Sequence, residues 1–151
     1  MGCWHEQALI DAPLPVVWDL VGDPREYPAW VGDEVVEVTG LPTVEKGARY
    51  EQTGSGPIAA AKSRTTFEIV ELDELHEIRL RCTVSGWYSR WVLTEAGGAT
   101  FADIEIGMEP TNAGFKAMDV VTGKRWYRRV AKASVDGIKR AVAGERAVSE
   151  S

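Results

Sequence analysis

The chain has 151 residues, 44% hydrophobic and 9% aromatic, enough apolar side chain for one packed core and too few residues for an obvious two-domain layout. Its 17 basic and 23 acidic residues leave a net charge of -6, so the molecule as a whole lacks the electrostatic footprint of a nucleic-acid binder. The longest charge-free run, Gln52 to Ala61, is ten residues, well short of the roughly 20 apolar residues that a membrane-spanning helix needs. The opening MGCWHEQALIDAP has no basic stretch leading into an apolar one, as a cleaved secretory signal would, and a cytoplasmic address is expected. Cys3 and Cys82 make neither a disulfide framework nor a zinc pattern and read as two reduced thiols.

In chain order, residues 5–11 alternate Glu6, Ala8 and Ile10 against His5, Gln7 and Leu9, a strand that ends at the Ala12-Pro13 turn signal. Residues 14–21 read as a short helix closed by Gly22. Asp23 and Pro24 then open a second helix in the N-cap and N1 positions, and Pro28 is expected to stop it. Six strands follow at about 34–39, 48–53, 63–72, 77–85, 87–94 and 100–109, with Gly- and Pro-rich turn signals between most of them. In the last, Ala102, Ile104, Ile106 and Met108 share one face while Asp103, Glu105 and Glu109 share the other, so one side of the sheet is wet and one is covered.

The cover is the proline-free segment from about Gly114 to Gly144. At helical spacing Trp126, Tyr127, Val130, Ala131, Ala133, Ser134, Gly137, Ile138 and Ala141 fall on one side. Lys124, Arg125, Arg128, Arg129, Lys132, Lys139 and Arg140 fall on the other, which describes an amphipathic helix of about eight turns. Residues 1–115 carry a net charge of -11 and residues 116–151 a net charge of +5, so a basic helix ends an acidic body. The apolar face is mostly small. Either the helix packs very close to the strands, or a hole is left between them. Residues 144–151 are expected to form a disordered tail.

The residues that make this order recognisable are Ile10-Asp11-Ala12-Pro13, VVWDLVGDPREYPAW from Val16 to Trp30, Gly47 with Tyr50, the Gly97-Gly98 turn, and Ser134-Val135 with Ile138-Lys139. Over roughly Glu6 to Ala143 the chain resembles the helix-grip START/birch-pollen-allergen-like (SRPBCC) superfamily, and within it the bacterial polyketide cyclase/dehydrase and lipid-transport family. The resemblance implies an α+β fold in a single domain over 5–143. A strongly curved antiparallel sheet of about seven strands would wrap around a long C-terminal helix, with two short helices after the first strand. It also implies an internal cavity for an apolar or amphipathic small molecule, and it leaves open whether the protein carries that molecule or acts on it as a polyketide cyclase, aromatase or dehydratase.

Taken by themselves, the residues offer little catalytic chemistry. His5 and His76 are the only histidines and no Gly-x-Ser-x-Gly elbow is present. Cys3, His5, His76 and Cys82 lack zinc-ligand spacing, and Gly54-Ser55-Gly56-Pro57 lacks the Lys-Ser/Thr of a phosphate loop, reading instead as a loop at a cavity mouth. No metal or cofactor is expected. The aromatics carry more. Trp87, Ser89, Trp91 and Leu93 share a strand face that Leu93 marks as inward, and the resemblance implies that Trp30 plugs the sheet. Pocket lining and ordinary core packing are both open for the tryptophans.

Tyr50 aligns with Ala48 and Gln52, and together with Ser89 and Tyr127 these are the candidates to hydrogen-bond a ligand oxygen. Mutual hydrogen bonding or solvent exposure is the alternative. With Ile104, Met108 and Ser134 they complete the candidate ligand site: Trp30, Tyr50, Gln52, Trp87, Ser89, Trp91, Ile104, Met108, Tyr127 and Ser134, around a largely apolar pocket of about 300 to 1,000 Å³.

Arg64, Glu68, Arg79 and Arg81 lie in opposite parity to the inward residues and read as solvent-facing, while Asp33 and Glu34 read as rim residues. No inward-facing base can be named, which puts a carrier ahead of an enzyme. The run KRWYRRVAK from Lys124 to Lys132 could meet anionic lipid headgroups, an acyl-carrier partner or RNA, with a solvated helix face as the commoner explanation. Membrane insertion is disfavoured because the apolar face is already committed to the sheet, and RNA because Trp126 and Tyr127 project to the opposite side. A monomer or homodimer is expected.

Overall fold

The structure is a computed structural model describing residues 2–32, 34–55 and 62–150. Strand β1 (Cys3–Ile10) leads into helix α1 (Leu14–Val21), a 3-10 turn (Pro24–Glu26) and the one-turn helix α2 (Tyr27–Trp30). Strands β2 (Glu37–Thr39), β3 (Arg49–Ser55), β4 (Lys62–Asp73), β5 (Glu77–Cys82), β6 (Trp87–Ala96) and β7 (Ala99–Met108) follow. Helix α3 (Ala113–Met118), a π-helical turn (Asp119–Gly123) and helix α4 (Lys124–Glu150) close the chain. The strands pair antiparallel in the order β1-β7-β6-β5-β4-β3-β2, so the meander ends by bringing the last strand beside the first. This is the α+β helix-grip arrangement that the resemblance implies.

Local chemistry explains most boundaries. Helix α1 spans the residues expected of it, and Asp23 caps the following turn by accepting from the Arg25 N–H at 3.0 Å. Pro28 does not end a helix as expected; it sits in the first turn of α2, where its missing N–H has no intrahelical acceptor to lose. Between Ile69 and Glu71 the β4–β5 register slips, and such a bulge bends the strand and increases its twist. Alternation then puts Ile69, Ile78, Leu80, Leu93, Ile104 and Ile106 on the buried concave side. On the other side cross-strand ion pairs form between Arg49 and Glu68 (3.4 Å), Arg90 and Glu77 (2.7 Å), Arg64 and Glu51, and Arg79 and Glu109.

The closing segment is helical but not uniform. A π turn separates α3 from α4, and α4 continues to Glu150, through the stretch expected to be a tail. The turn faces Asp119 inward, where Oδ1 accepts from the Tyr127 hydroxyl at 2.6 Å and Oδ2 from the Gly2 N–H at 3.1 Å. Gly123 leaves room for this contact, because a Cβ there would stand 2.8 Å from the Asp119 carboxylate and 2.9 Å from the Tyr127 ring. Both packing alternatives for the small-residue face occur, at different heights. At Gly137 an added Cβ would lie 1.8 Å from the Trp30 carbonyl oxygen, so α4 touches α2 at backbone distance. Nearer its start α4 presents Trp126, Val130 and Ser134 to an open space.

Candidate functional site

That space is a pocket of about 280 Å³ between the concave sheet and the start of the long helix, just under the range expected. Its wall follows from strand alternation and from the register between strands. Trp87, Ser89 and Trp91 point inward from β6, and their partners across the β6–β7 ladder are Met108, Ile106 and Ile104. Gln52 faces Thr65 across β3–β4, and Phe67 faces Cys82 across β4–β5. Trp30 and Tyr27 close one side from α2, while Phe115 and Met118 of α3 and Trp126, Val130 and Ser134 of α4 form the cover.

Two aromatic groups frame the pocket. Trp30 meets Trp91 edge-on at 5.5 Å and Tyr27 at 5.3 Å. The Trp30 indole N–H donates to the Leu20 carbonyl at 3.2 Å and the Tyr27 hydroxyl to the Val21 carbonyl at 2.7 Å, so the polar edges of both rings are satisfied within the protein. Opposite, Trp87 lies 5.9 Å from Phe67 and 6.0 Å from Trp126. Offset and edge-on contacts of this kind hold large apolar plates in fixed orientations.

Three buried polar side chains interrupt the apolar wall. Gln52, Ser89 and Ser134 are only 7%, 8% and 4% exposed and all line the pocket. None has a side-chain hydrogen bond to another described residue. A buried amide or hydroxyl without a partner is costly, and here the unmet bonding capacity borders the open space. Glu34 adds a charge. It belongs to the pocket wall, with a side chain 15% exposed and 3.9 Å from the Arg129 Nε. It gets there because Gly54 lets the chain cross β3 closely: a Cβ on Gly54 would stand 1.8 Å from the Glu34 carbonyl oxygen.

Of the ten residues singled out from the sequence, Trp30, Gln52, Trp87, Ser89, Trp91, Met108 and Ser134 line the pocket, and Tyr50, Ile104 and Tyr127 do not. Tyr50 stacks on Phe67 at 5.8 Å with its hydroxyl enclosed and without a hydrogen-bond partner among the described residues, and burial pushes its pKa well above the ordinary tyrosine value. Ile104 is fully buried in the core. The Tyr127 hydroxyl is engaged by Asp119; burial first and that hydrogen bond second raise its pKa as well.

Glu34, Phe67, Cys82 and Trp126 are wall residues outside the expected set. For Trp126 the helical wheel already carried the signal. Glu34, read as a rim residue, stands in the wall itself, because the chain crosses closely at Gly54. Asp33, Gly56 and Pro57, read as rim or mouth residues, lie outside the described residues. His5 pairs with Glu105 at 3.3 Å and His76 Nδ1 lies 3.1 Å from the Leu93 carbonyl oxygen, both away from the pocket. Among the described residues no group of three His, Cys, Asp or Glu side chains could hold a metal, and no helix is long and apolar enough to cross a membrane.

A curved seven-stranded sheet gripping a long helix defines the helix-grip, SRPBCC-type class. The sequence pattern of the polyketide cyclase/dehydrase and lipid transport family matches residues 1–143, and the chain belongs to that family. Among solved structures, TTHA0849 from Thermus thermophilus is similar with a TM-score of 0.75 at 16% identity, over 95% of this chain and 99% of that one. Ms6760 from Mycobacterium smegmatis is similar at 0.69 and 20%, over 95% and 92% of the two chains. An AHSA1-like protein from Aeromonas hydrophila is similar at 0.62 and 14%, over 95% and 94%. Likeness at these identities is one of fold. No curated protein matches the chain.

Proposed function

We propose that this protein binds and carries an apolar or amphipathic small molecule, lipid- or polyketide-like, in the pocket under the long helix, and that it does so in the cytoplasm. The observation that carries the reading is the composition of the wall: Trp30, Trp87, Trp91 and Trp126 supply apolar surface, while Gln52, Ser89 and Ser134 are buried without side-chain partners among the described residues. Burial of roughly 200 Å² of apolar ligand surface is worth about 5 kcal/mol before the costs of association. The three polar groups would fix which way round the ligand sits.

A second reading, a cyclase or dehydratase using the same pocket, is favoured by one observation, the Glu34 carboxylate in the wall. A carboxylate within reach of a bound ligand's acidic carbon can act as a general base. Titration of a fluorescent fatty acid and an aromatic polyketide into wild type, Trp91→Ala and Glu34→Gln separates the two. A carrier loses affinity in Trp91→Ala and shows no spectral conversion in any variant. An enzyme converts the polyketide, and Glu34→Gln abolishes that conversion at unchanged affinity. Native mass spectrometry of the protein from its own host gives the identity of the cargo, and failure of every probe to bind more tightly to wild type than to Trp91→Ala would overturn both readings.

A further inference from the structure

Val120 and Val121, on the π turn, are 78% and 79% exposed, the most exposed large hydrophobic side chains among the described residues. The turn fixes this outward placement. Asp119 is held inside by Tyr127 and Gly2, and Gly123 fits against both Asp119 and Tyr127, so the two residues between them that carry apolar side chains must face solvent. At helical spacing the valines are followed by exposed Lys124, Arg125 and Arg128, and exposed Lys116 precedes them. Apart from the buried Asp119, no acidic residue lies between 116 and 129.

The cations of this stripe differ from most of those on the sheet, and share with Lys139 and Arg140 the lack of an ion-pair partner among the described residues. Arg49, Arg64, Arg79 and Arg90 on the sheet, and Arg129 and Lys132 further along the helix, all have carboxylate partners. Lys116, Lys124 and Arg125 have none among the described residues, and Arg128 lies over the Trp4 ring at 5.4 Å. The stripe also adjoins the pocket: Phe115 and Met118, just before the valines, line it together with Val84, itself 51% exposed.

From this juxtaposition we propose that Val120 and Val121, with Lys116, Lys124 and Arg125 around them, form a docking surface for an anionic lipid bilayer. The unpaired cations complement lipid phosphates, and the two valines enter the boundary between headgroups and acyl chains. The apolar face that packs on the sheet takes no part, because these valines lie on the opposite side of the helical segment. A protein partner fits less well, since two valines are a small fraction of the roughly 800 Å² per side that a specific protein interface buries. Docking does not depend on what the pocket holds, so its test stands apart from that of ligand binding.

The test is co-sedimentation of the full chain with vesicles of phosphatidylcholine alone and of phosphatidylcholine with an equal part of phosphatidylglycerol. Wild type should pellet with the anionic vesicles only, and less so as salt rises. Lys124→Glu/Arg125→Glu and Val120→Ser/Val121→Ser should each weaken partitioning about tenfold or more. Lys139→Glu/Arg140→Glu, an equal charge change on the same helix away from the valines, should leave it nearly unchanged. Circular dichroism checks that the variants fold, and the wild-type comparison of the two vesicle types needs no variant. Equal pelleting with both vesicle types, equal loss in the 139/140 variant, or indifference to the valine replacements would each overturn the proposal. So would retention on an acidic polypeptide without vesicle binding, which would assign the surface to a protein partner.

Discussion

At Gly137 helix α4 lies so close to α2 that one added Cβ would strike the Trp30 carbonyl oxygen at 1.8 Å, whereas two and three turns earlier, at Val130 and Trp126, the same face borders a pocket of about 280 Å³. Both stretches obey one amphipathic pattern. What separates them is side-chain size along the face and what the helix meets across the gap: a short helix in one place, the concavity of a bent sheet in the other. Hydrophobic periodicity says which side of a helix is covered, and it does not say whether the covered side is in contact.

The largest test of this contrast is Gly137→Ala, expected to cost about 3 kcal/mol because backbone, not a flexible side chain, occupies the site. Gly144→Ala on the same helix meets nothing within 4 Å and should be neutral or slightly stabilising. Denaturant melts of the two variants that coincide would remove the close approach.

Next is Tyr127→Phe, which leaves the buried Asp119 carboxylate with the backbone N–H of Gly2 as its remaining donor among the described residues and should cost about 1–3 kcal/mol. It also bears on alkaline stability. Burial, ahead of any neighbouring charge or hydrogen bond, raises the Tyr27, Tyr50 and Tyr127 pKa values in the folded chain. A raised folded-state value means that stability is fully present below the unfolded tyrosine pKa, about 10, and is lost as pH rises from there toward the folded values. Urea midpoints should therefore fall steeply above pH ~10, and Tyr127→Phe should flatten that fall by one proton's worth. A wild-type midpoint that stays level through this range would show that the buried hydroxyls titrate normally.

Ser134→Leu probes the open stretch. Filling the pocket should change stability by only about 1 kcal/mol in either direction, yet abolish binding of a fluorescent fatty acid. A severe loss of stability would show that no space is there to fill. The smallest effect is expected of Tyr50→Phe. Its hydroxyl is enclosed without a hydrogen-bond partner among the described residues, so removal should cost less than about 0.5 kcal/mol or stabilise slightly, in contrast to Tyr127→Phe. Thermal melts of both tyrosine variants decide whether the two hydroxyls differ as their surroundings do.

The order of elements, the inward faces of β6 and β7 and the covered side of the long helix are all legible in the sequence, because each rests on a local period: two along a strand, 3.6 along a helix. Six of the seven expected residues that line the pocket follow from the same rule, and Trp30 from the family resemblance. Tyr50, Ile104 and Tyr127 have the right parity too, and only their neighbours exclude them: Phe67 covers one, core packing encloses the second, and Asp119 engages the third. Glu34 reaches the wall only because Gly54 admits a crossing chain, and Val120 and Val121 are exposed only because a π turn holds Asp119 inside. Such placements depend on contacts between residues far apart in the chain. No periodicity encodes them, so the tertiary structure decided which inward residues border a space and which apolar residues meet solvent.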